Sequence, residues 1–176
     1  MLKEWQLITT PKPIPMAKKS DHPRYMAAHL EWFKIQYPSA YKDGYYLEPK
    51  VPKVDTANGL TSFVCNFLSW KGHRATRINV MGRLIDGVEK QPSGAKIAVK
   101  KWLPSSTRKG TADIGSTIKI NGIGCSVMWE IKIGSDRPSE FQLKEKQREE
   151  MAGGKYFFVK TPEDFFEKYD SLFVNL

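Results

Sequence analysis

Asp113-Ile114-Gly115-Ser116-Thr117-Ile118-Lys119-Ile120-Asn121-Gly122-Ile123-Gly124-Cys125-Ser126-Val127-Met128-Trp129-Glu130-Ile131-Lys132 is the stretch whose reading decides the fold. Asp113 heads a strand-like run from Ile114 to Ile120. Asn121-Gly122 then turns the chain back, since both central residues of a tight hairpin turn need φ > 0 and Asn-Gly supplies them. On the return strand Val127, Trp129, Ile131 and Ile133 alternate with Met128, Glu130 and Lys132. A period of two puts the apolar set on one face and the carboxylate beside the ammonium on the other. The hairpin brings Glu130 and Lys132 back alongside the start of its partner strand, near Asp113. Two carboxylates and a lysine then meet where a divalent metal and a phosphodiester can meet.

Upstream, Leu60, Phe63, Val64, Phe67 and Leu68 follow Asp55-Thr56 at the spacing of one helical face, and Gly72 stops that helix. Ala75 to Ile85 reads as a strand, with Ile78 and Val80 on one face and Arg77 and Asn79 on the other. Residues 83–109 are rich in Lys and Arg and are broken by Pro92, Ser93, Gly94 and Pro104. They predict a basic hairpin or loop, with Lys96 to Trp102 as a short strand. Downstream, Asp136-Arg137-Pro138-Ser139 opens a charged helix that Gly153-Gly154 ends, and Lys155 to Lys160 supplies a further strand. Thr161-Pro162-Glu163-Asp164 starts a last helix, with Thr161 as cap and acids at the positive end of its dipole. Its Phe165, Phe166, Tyr169, Leu172 and Phe173 are expected to pack on the sheet. The class predicted is α/β, a small mixed central sheet flanked by helices.

Residues 1–55 hold most of the prolines and many aromatics. They read as an extension with one helix, started by Asp21 and Pro23 and carrying Met26, Leu30, Phe33 and Tyr37 on one stripe. This extension is expected to pack on the main domain, residues 56–176, or on a protein partner. The net charge of +9 and pI near 9.5 point to a polyanion, nucleic acid before membrane. No apolar run is long enough to span a bilayer. Met1 to Ser20 carries no continuous apolar stretch of the signal-peptide kind. The only cysteines, Cys65 and Cys125, suit a reducing compartment and read as free, buried thiols, so a cytoplasmic location is expected. Together with His22, His29 and His73 they form no zinc-ligand spacing.

Hydrolysing a phosphodiester calls for a metal that polarises the phosphoryl oxygen and acidifies a water. Carboxylate oxygens are the hard ligands Mg²⁺ or Mn²⁺ accepts. Asp113 and Glu130 supply two, and the Ile131 carbonyl is a candidate third. Lys132 would orient or deprotonate the attacking water, or stabilise transition-state charge. Ser139 and Gln142 form a Ser-x-x-Gln capping box, which accounts for both by itself. Lys100, Lys101, Arg108 and Lys109 with Trp102 are dense enough for phosphate contacts with base stacking.

These residues together resemble the PD-(D/E)XK nuclease superfamily, and within it the VRR-NUC (virus-type replication-repair nuclease) branch. The resemblance covers roughly Thr56 to Asp170. It is carried by Arg77-Ile78-Asn79-Val80-Met81-Gly82, Gly110-Thr111-Ala112-Asp113 and Trp129-Glu130-Ile131-Lys132-Ile133-Gly134. It continues through Ser135-Asp136-Arg137-Pro138-Ser139-Glu140-Phe141-Gln142 to the Gly153-Gly154 stop. It implies a restriction-endonuclease-like fold and a metal-dependent DNA endonuclease, with Asp113 and Glu130 as ligands and Lys132 as the catalytic lysine. Gln142 would lie near the site, and Arg77, Asn79 and Ser139 would face the nucleic acid, with duplex, branched and single-stranded DNA all left open as substrates. Relatives of this kind are frequent in phages and mobile elements, and a homodimer would let two sites cut two strands. The chain departs from the family in two places. The helix before the first strand offers Asn58, Thr61, Ser62, Cys65 and Asn66 where many members have a glutamate, so no acid stands there for a second metal. The usual Pro before Asp113 is Ala112. A nuclease-fold protein that binds or packages nucleic acid without cutting it is the alternative expectation.

Overall fold

The computed structural model describes residues 22–78, 83–92, 94–103 and 108–174. Asn79, Val80, Met81, Gly82, Ser93 and Pro104 from the readings above lie outside them, as does the extension before His22. In chain order the elements are α1 (Pro23–Gln36), α2 (Pro38–Lys42), α3 (Ala57–Trp70), β1 (Arg74–Arg77), β2 (Arg83–Lys90), β3 (Lys96–Leu103), β4 (Ile114–Ile120), β5 (Ile123–Ile131), α4 (Glu140–Met151), β6 (Lys155–Val159) and α5 (Pro162–Val174). The fold is mixed α/β: a small mixed sheet flanked by helices.

The Asn121-Gly122 turn forms as read. Asn121 has φ +47° and Gly122 φ +84°, and Ile120 pairs with Ile123 across it. From this hairpin the sheet grows in both directions in the order β1-β4-β5-β6. β1 and β5 run antiparallel to β4, while β6 is parallel to β5 and is reached through the α4 crossover. Val127, Trp129 and Ile131 of β5 are buried in the core with Ile114 and Ile118 of β4. Helices α3 and α5 cover that face, where Phe67 meets Phe165 edge-on at 5.5 Å and Trp129 meets Phe165 at 5.1 Å. The Trp129 indole N–H donates to Ser116 Oγ at 2.8 Å, and that hydroxyl donates on to the Val127 carbonyl at 2.8 Å. The buried polar atoms of the hairpin are thereby paired.

Both ends of α3 are written locally. Thr56 accepts from the Gly59 amide at 3.1 Å. At the far end Gly72, φ +80°, lets His73 N donate to the Leu68 carbonyl and Gly72 N to that of Ser69, a Schellman stop. In α5, Asp164 N donates to the Thr161 hydroxyl at 3.2 Å, the expected cap. Phe165, Phe166, Tyr169 and Leu172 are buried, whereas Phe173 stays 41% exposed at the helix end.

Three readings need correction. The strand expected over Ala75–Ile85 is two strands. Ile78 N still donates to Asp113 O at 2.7 Å, but β4 begins at Ile114, so β1 has no partner to follow further. Residues 83–90 pair instead with 96–103 in a separate two-stranded antiparallel sheet, the basic hairpin. Second, α1 fully buries Tyr25, Ala28 and His29, while of the expected stripe Met26, Leu30 and Phe33 are half-buried, Met26 against the core, and Tyr37 is half exposed at its C-cap. The face is set by α3: Tyr25 stacks on Phe63 with centroids 4.3 Å apart and accepts from Asn66 Nδ2 at 3.1 Å. Third, Cys65 and Cys125 are free but only half-buried.

Helix α1 therefore shares the core of residues 56–176, and Arg24 also grips Asp170 of α5 through two hydrogen bonds of 2.7 and 2.8 Å. Tyr25→Ala is expected to lower the free energy of unfolding by about 3 to 5 kcal/mol. Urea denaturation measures this, and a loss below about 1 kcal/mol would mean that α1 only rests on the domain.

Candidate functional site

Asp113, Glu130 and Lys132 meet at one end of the sheet. The register Ile114↔Trp129, continued by one residue, sets Asp113 against the end of β5. Its Oδ2 accepts from the Ile131 amide at 2.9 Å. The loop leading to Asp113 passes against the start of α4. Gly110 adopts φ +89°, and a Cβ there would stand 2.3 Å from the Phe141 carbonyl oxygen, so only glycine fits.

Glu130 points away from the core, as the alternation along β5 requires, yet it is only 4% exposed. Polar groups enclose it. Lys132 Nζ lies 3.2 Å from Oε1, and the same oxygen accepts from Gln142 Nε2. The Tyr156 hydroxyl lies 3.3 Å from Oε2 and 3.1 Å from the Gly110 carbonyl, two acceptors for one proton. Lys132 is 5% exposed. Its amide donates to the Val159 carbonyl at 2.8 Å, which carries the β5–β6 ladder one step past the strand, and its Nζ also pairs with Asp136 at 3.2 Å.

Burial first, and then the nearby Asp113 carboxylate, push the Glu130 carboxyl from its ordinary 4.5 up to about 7, against the pull of Lys132 and Tyr156. Burial and the Glu130 carboxylate push the Tyr156 hydroxyl well up, so it remains a donor.

Gln142 does both things read for it. Its Oε1 accepts from the Ser139 amide at 2.9 Å while Ser139 Oγ accepts from the Gln142 amide at 3.3 Å, a complete capping box. Its Nε2 is thereby left over for Glu130. Tyr156 and Asp136 were not singled out in the sequence. A tyrosine among the phenylalanines of Lys155–Val159, on the parity of the polar sheet face, and an acid four residues after Lys132 were the signals available.

The predicted nucleic-acid residues that are described fall into four groups. Arg108 and Lys109 stand at the rim: Arg108 Nη1 is 3.5 Å from Glu145 of α4, and Lys109 Nζ lies 5.4 Å over the Phe141 ring. Ser139 is exposed and is seen as the cap of α4. Arg77 shares the face of Ala75, opposite to that of Glu130, and bonds Asn58 of α3; it is not brought to the carboxylates. Lys100, Lys101 and Trp102 are exposed on β3 of the separate hairpin, with Trp102 58% exposed.

As a metal site, Asp113 and Glu130 offer hard oxygens whose mutual repulsion a cation would relieve. The Ile131 contact seen is through its amide N–H, not its carbonyl. Among the described residues no group of three or more His, Cys, Asp or Glu is arranged to hold a metal. The donor set fits an ion such as Mg²⁺ that keeps several waters and takes few protein ligands.

Gln142→Ala removes the cap and the Glu130 contact together and is expected to cost about 1 to 2 kcal/mol in denaturant unfolding. Gln142→Glu keeps a capping-box side chain but sets a second carboxylate against Glu130. Carbon-13 carboxyl NMR should then find Glu130 titrating above its wild-type midpoint; an unmoved midpoint would show that residue 142 does not govern Glu130.

Among the described residues no helix is long and apolar enough to cross a membrane. Comparison with models of known protein families, with curated proteins and with solved structures finds no match to this chain.

Proposed function

We propose that this protein is a Mg²⁺- or Mn²⁺-dependent DNA endonuclease of restriction-endonuclease-like fold, similar to the VRR-NUC branch of the PD-(D/E)XK superfamily. The observation that carries the reading is the buried cluster itself: Asp113 and Glu130 on adjacent strand ends, with Lys132 Nζ 3.2 Å from Glu130. A purely structural strand end has no use for a carboxylate kept at 4% exposure beside a second carboxylate, because burial of charge is costly. With β2–β3 set aside, the order α3, β1, β4, β5, α4, β6 is helix, three strands, helix, strand, which supports the fold assignment.

Asp113 and Glu130 would hold the ion, which when bound polarises a phosphoryl oxygen and acidifies a water. The protein's own groups do the rest. The Ile131 amide fixes the Asp113 carboxylate, and Gln142 and Tyr156 fix that of Glu130. The Lys132 ammonium, held between Glu130 and Asp136, would stabilise negative charge on the phosphoryl group being attacked. Arg108 and Lys109 at the rim are available for the phosphates on either side.

One observation favours the non-cutting alternative, a nucleic-acid-binding or packaging protein on the same fold. Both Glu130 oxygens already have protein partners. Cleavage of supercoiled, branched and single-stranded DNA separates the two. Asp113→Asn, which retains an acceptor for the Ile131 amide, and Lys132→Ala are each expected to lower the rate by about 10²- to 10⁴-fold, and EDTA to abolish cutting. Salt-sensitive binding without cutting by the wild type would instead support the alternative.

The raised Glu130 pKa sets a pH dependence for metal binding. Below about 7 the carboxyl holds a proton that a cation must displace. Calorimetry with Mn²⁺ should therefore show affinity rising by up to about tenfold per pH unit towards neutrality and levelling off above it, with Asp113→Asn as control. A flat profile from pH 5.5 to 8.5 (roughly spanning the window of one titration) would remove Glu130 from the ligand set.

A further inference from the structure

Beside Glu130, on the same face of the sheet, lies a cleft of about 260 Å³. Its position follows from register. Met128 precedes Glu130 by two residues on β5, so it faces the same way about 7 Å along the strand. Met128 pairs with Gly115 of β4, and Gly115 pairs with Thr76 of β1. The cleft therefore spans three strands, with its Met128 and Gly115 end one strand repeat short of Glu130 and Asp113.

Its floor is apolar. A Cβ on Gly115 would stand 3.2 Å from Ile78 Cδ1 and 3.6 Å from Met128 Sδ, so the glycine leaves a shallow platform lined by those two side chains. Thr76, Thr117 and Ser126 line the walls, and Arg74 closes the β1 side. The two sides differ in charge. Ser126 Oγ donates to the Glu149 carboxylate of α4, which disfavours a phosphate there, whereas the exposed Arg74 guanidinium favours one. An apolar platform, hydrogen-bonding walls and one cationic rim match the parts of a nucleotide: base, sugar and base edges, phosphate. The space suits one base with its sugar. A base paired and stacked in a duplex cannot enter it without leaving the stack.

We infer that this cleft holds one unpaired nucleotide of the DNA strand, next to the phosphate at Asp113 and Glu130. Single-stranded or frayed DNA is then the ligand class. That this strand is the one cut rests on the nuclease reading, but its binding does not.

The test is equilibrium binding of a fluorescein-labelled oligothymidylate in EDTA, read by anisotropy. Wild type is compared with Arg74→Ala and with Thr117→Trp, which fills the cleft. Both positions are exposed, and circular dichroism checks that the variants fold. Each substitution is expected to weaken binding by about tenfold. Arg74→Ala should also reduce the slope of log affinity against log salt by roughly 0.7, the value for one lost phosphate contact on a single strand. Amide NMR shifts should move at Thr76, Gly115 and Thr117, and a blunt duplex should bind more weakly. The inference is overturned if wild type and Thr117→Trp bind alike, if the duplex binds as well as the single strand, or if wild type binds neither. The two readings fail separately. Cutting that is lost in Asp113→Asn, with binding unaffected by Thr117→Trp, keeps the nuclease and discards the cleft. Cleft-dependent binding with no cutting does the reverse.

Discussion

The contact on which the rest of the molecule's polar side depends is the buried pair of Glu130 and Lys132, with Asp113 beside it. Taking such charges out of water costs several kcal/mol per ion, and the mutual attraction repays this only when the remaining lone pairs and protons are also matched. The neighbours are arranged to do so. Gln142 and Tyr156 complete Glu130, Asp136 completes Lys132, and the Ile131 amide takes Asp113. Each partner comes from a different element, so the start of α4, strand β6 and the loop at Gly110 are all referred to one point. A helix with no buried residue of its own, α4, is thereby held on the sheet through polar contacts.

The two faces of the sheet divide the work. One face is a dense aromatic and aliphatic core with α1, α3 and α5 and supplies the hydrophobic stabilisation. The other carries the carboxylates, the cleft and the polar underside of α4. Strand β5 belongs to both, with Trp129 fully buried on one side and Glu130 enclosed on the other. The Trp129 to Ser116 to Val127 relay holds that strand in register, so the polar face inherits its geometry from the core.

Much of this was legible in the sequence because it rests on short-range signals. The Asn121-Gly122 turn, the period of two through Trp129 and Glu130, the Thr56 and Ser139 caps and the stop at Gly72 each act within a few residues, and each appears where it was read. The failures lie where distant parts of the chain decide. The face that α1 buries is chosen by Phe63 of α3, so its own stripe misled. The end of β1 is set by where β4 begins. Arg77 lies away from Glu130 for a like reason: the pairing of Arg74 to Arg77 with β4 sets it on the opposite face, beside Asn58. Tyr156 is placed at the site only once β6 is laid parallel to β5, because the pairing of Met128 with Tyr156 brings its hydroxyl under Glu130.

The point at which β2 and β3 leave the sheet has a consequence for how such a chain can diversify. Ile78 and Asp113 are joined by a 2.7 Å backbone hydrogen bond, so the segment between them departs and returns at nearly the same place. The ends of that segment are held by the sheet whatever lies between them. Its length costs little, because loop-closure entropy grows only slowly with length. The basic hairpin is in this sense a replaceable module on a fixed socket: a different arm could be exchanged there without moving Asp113.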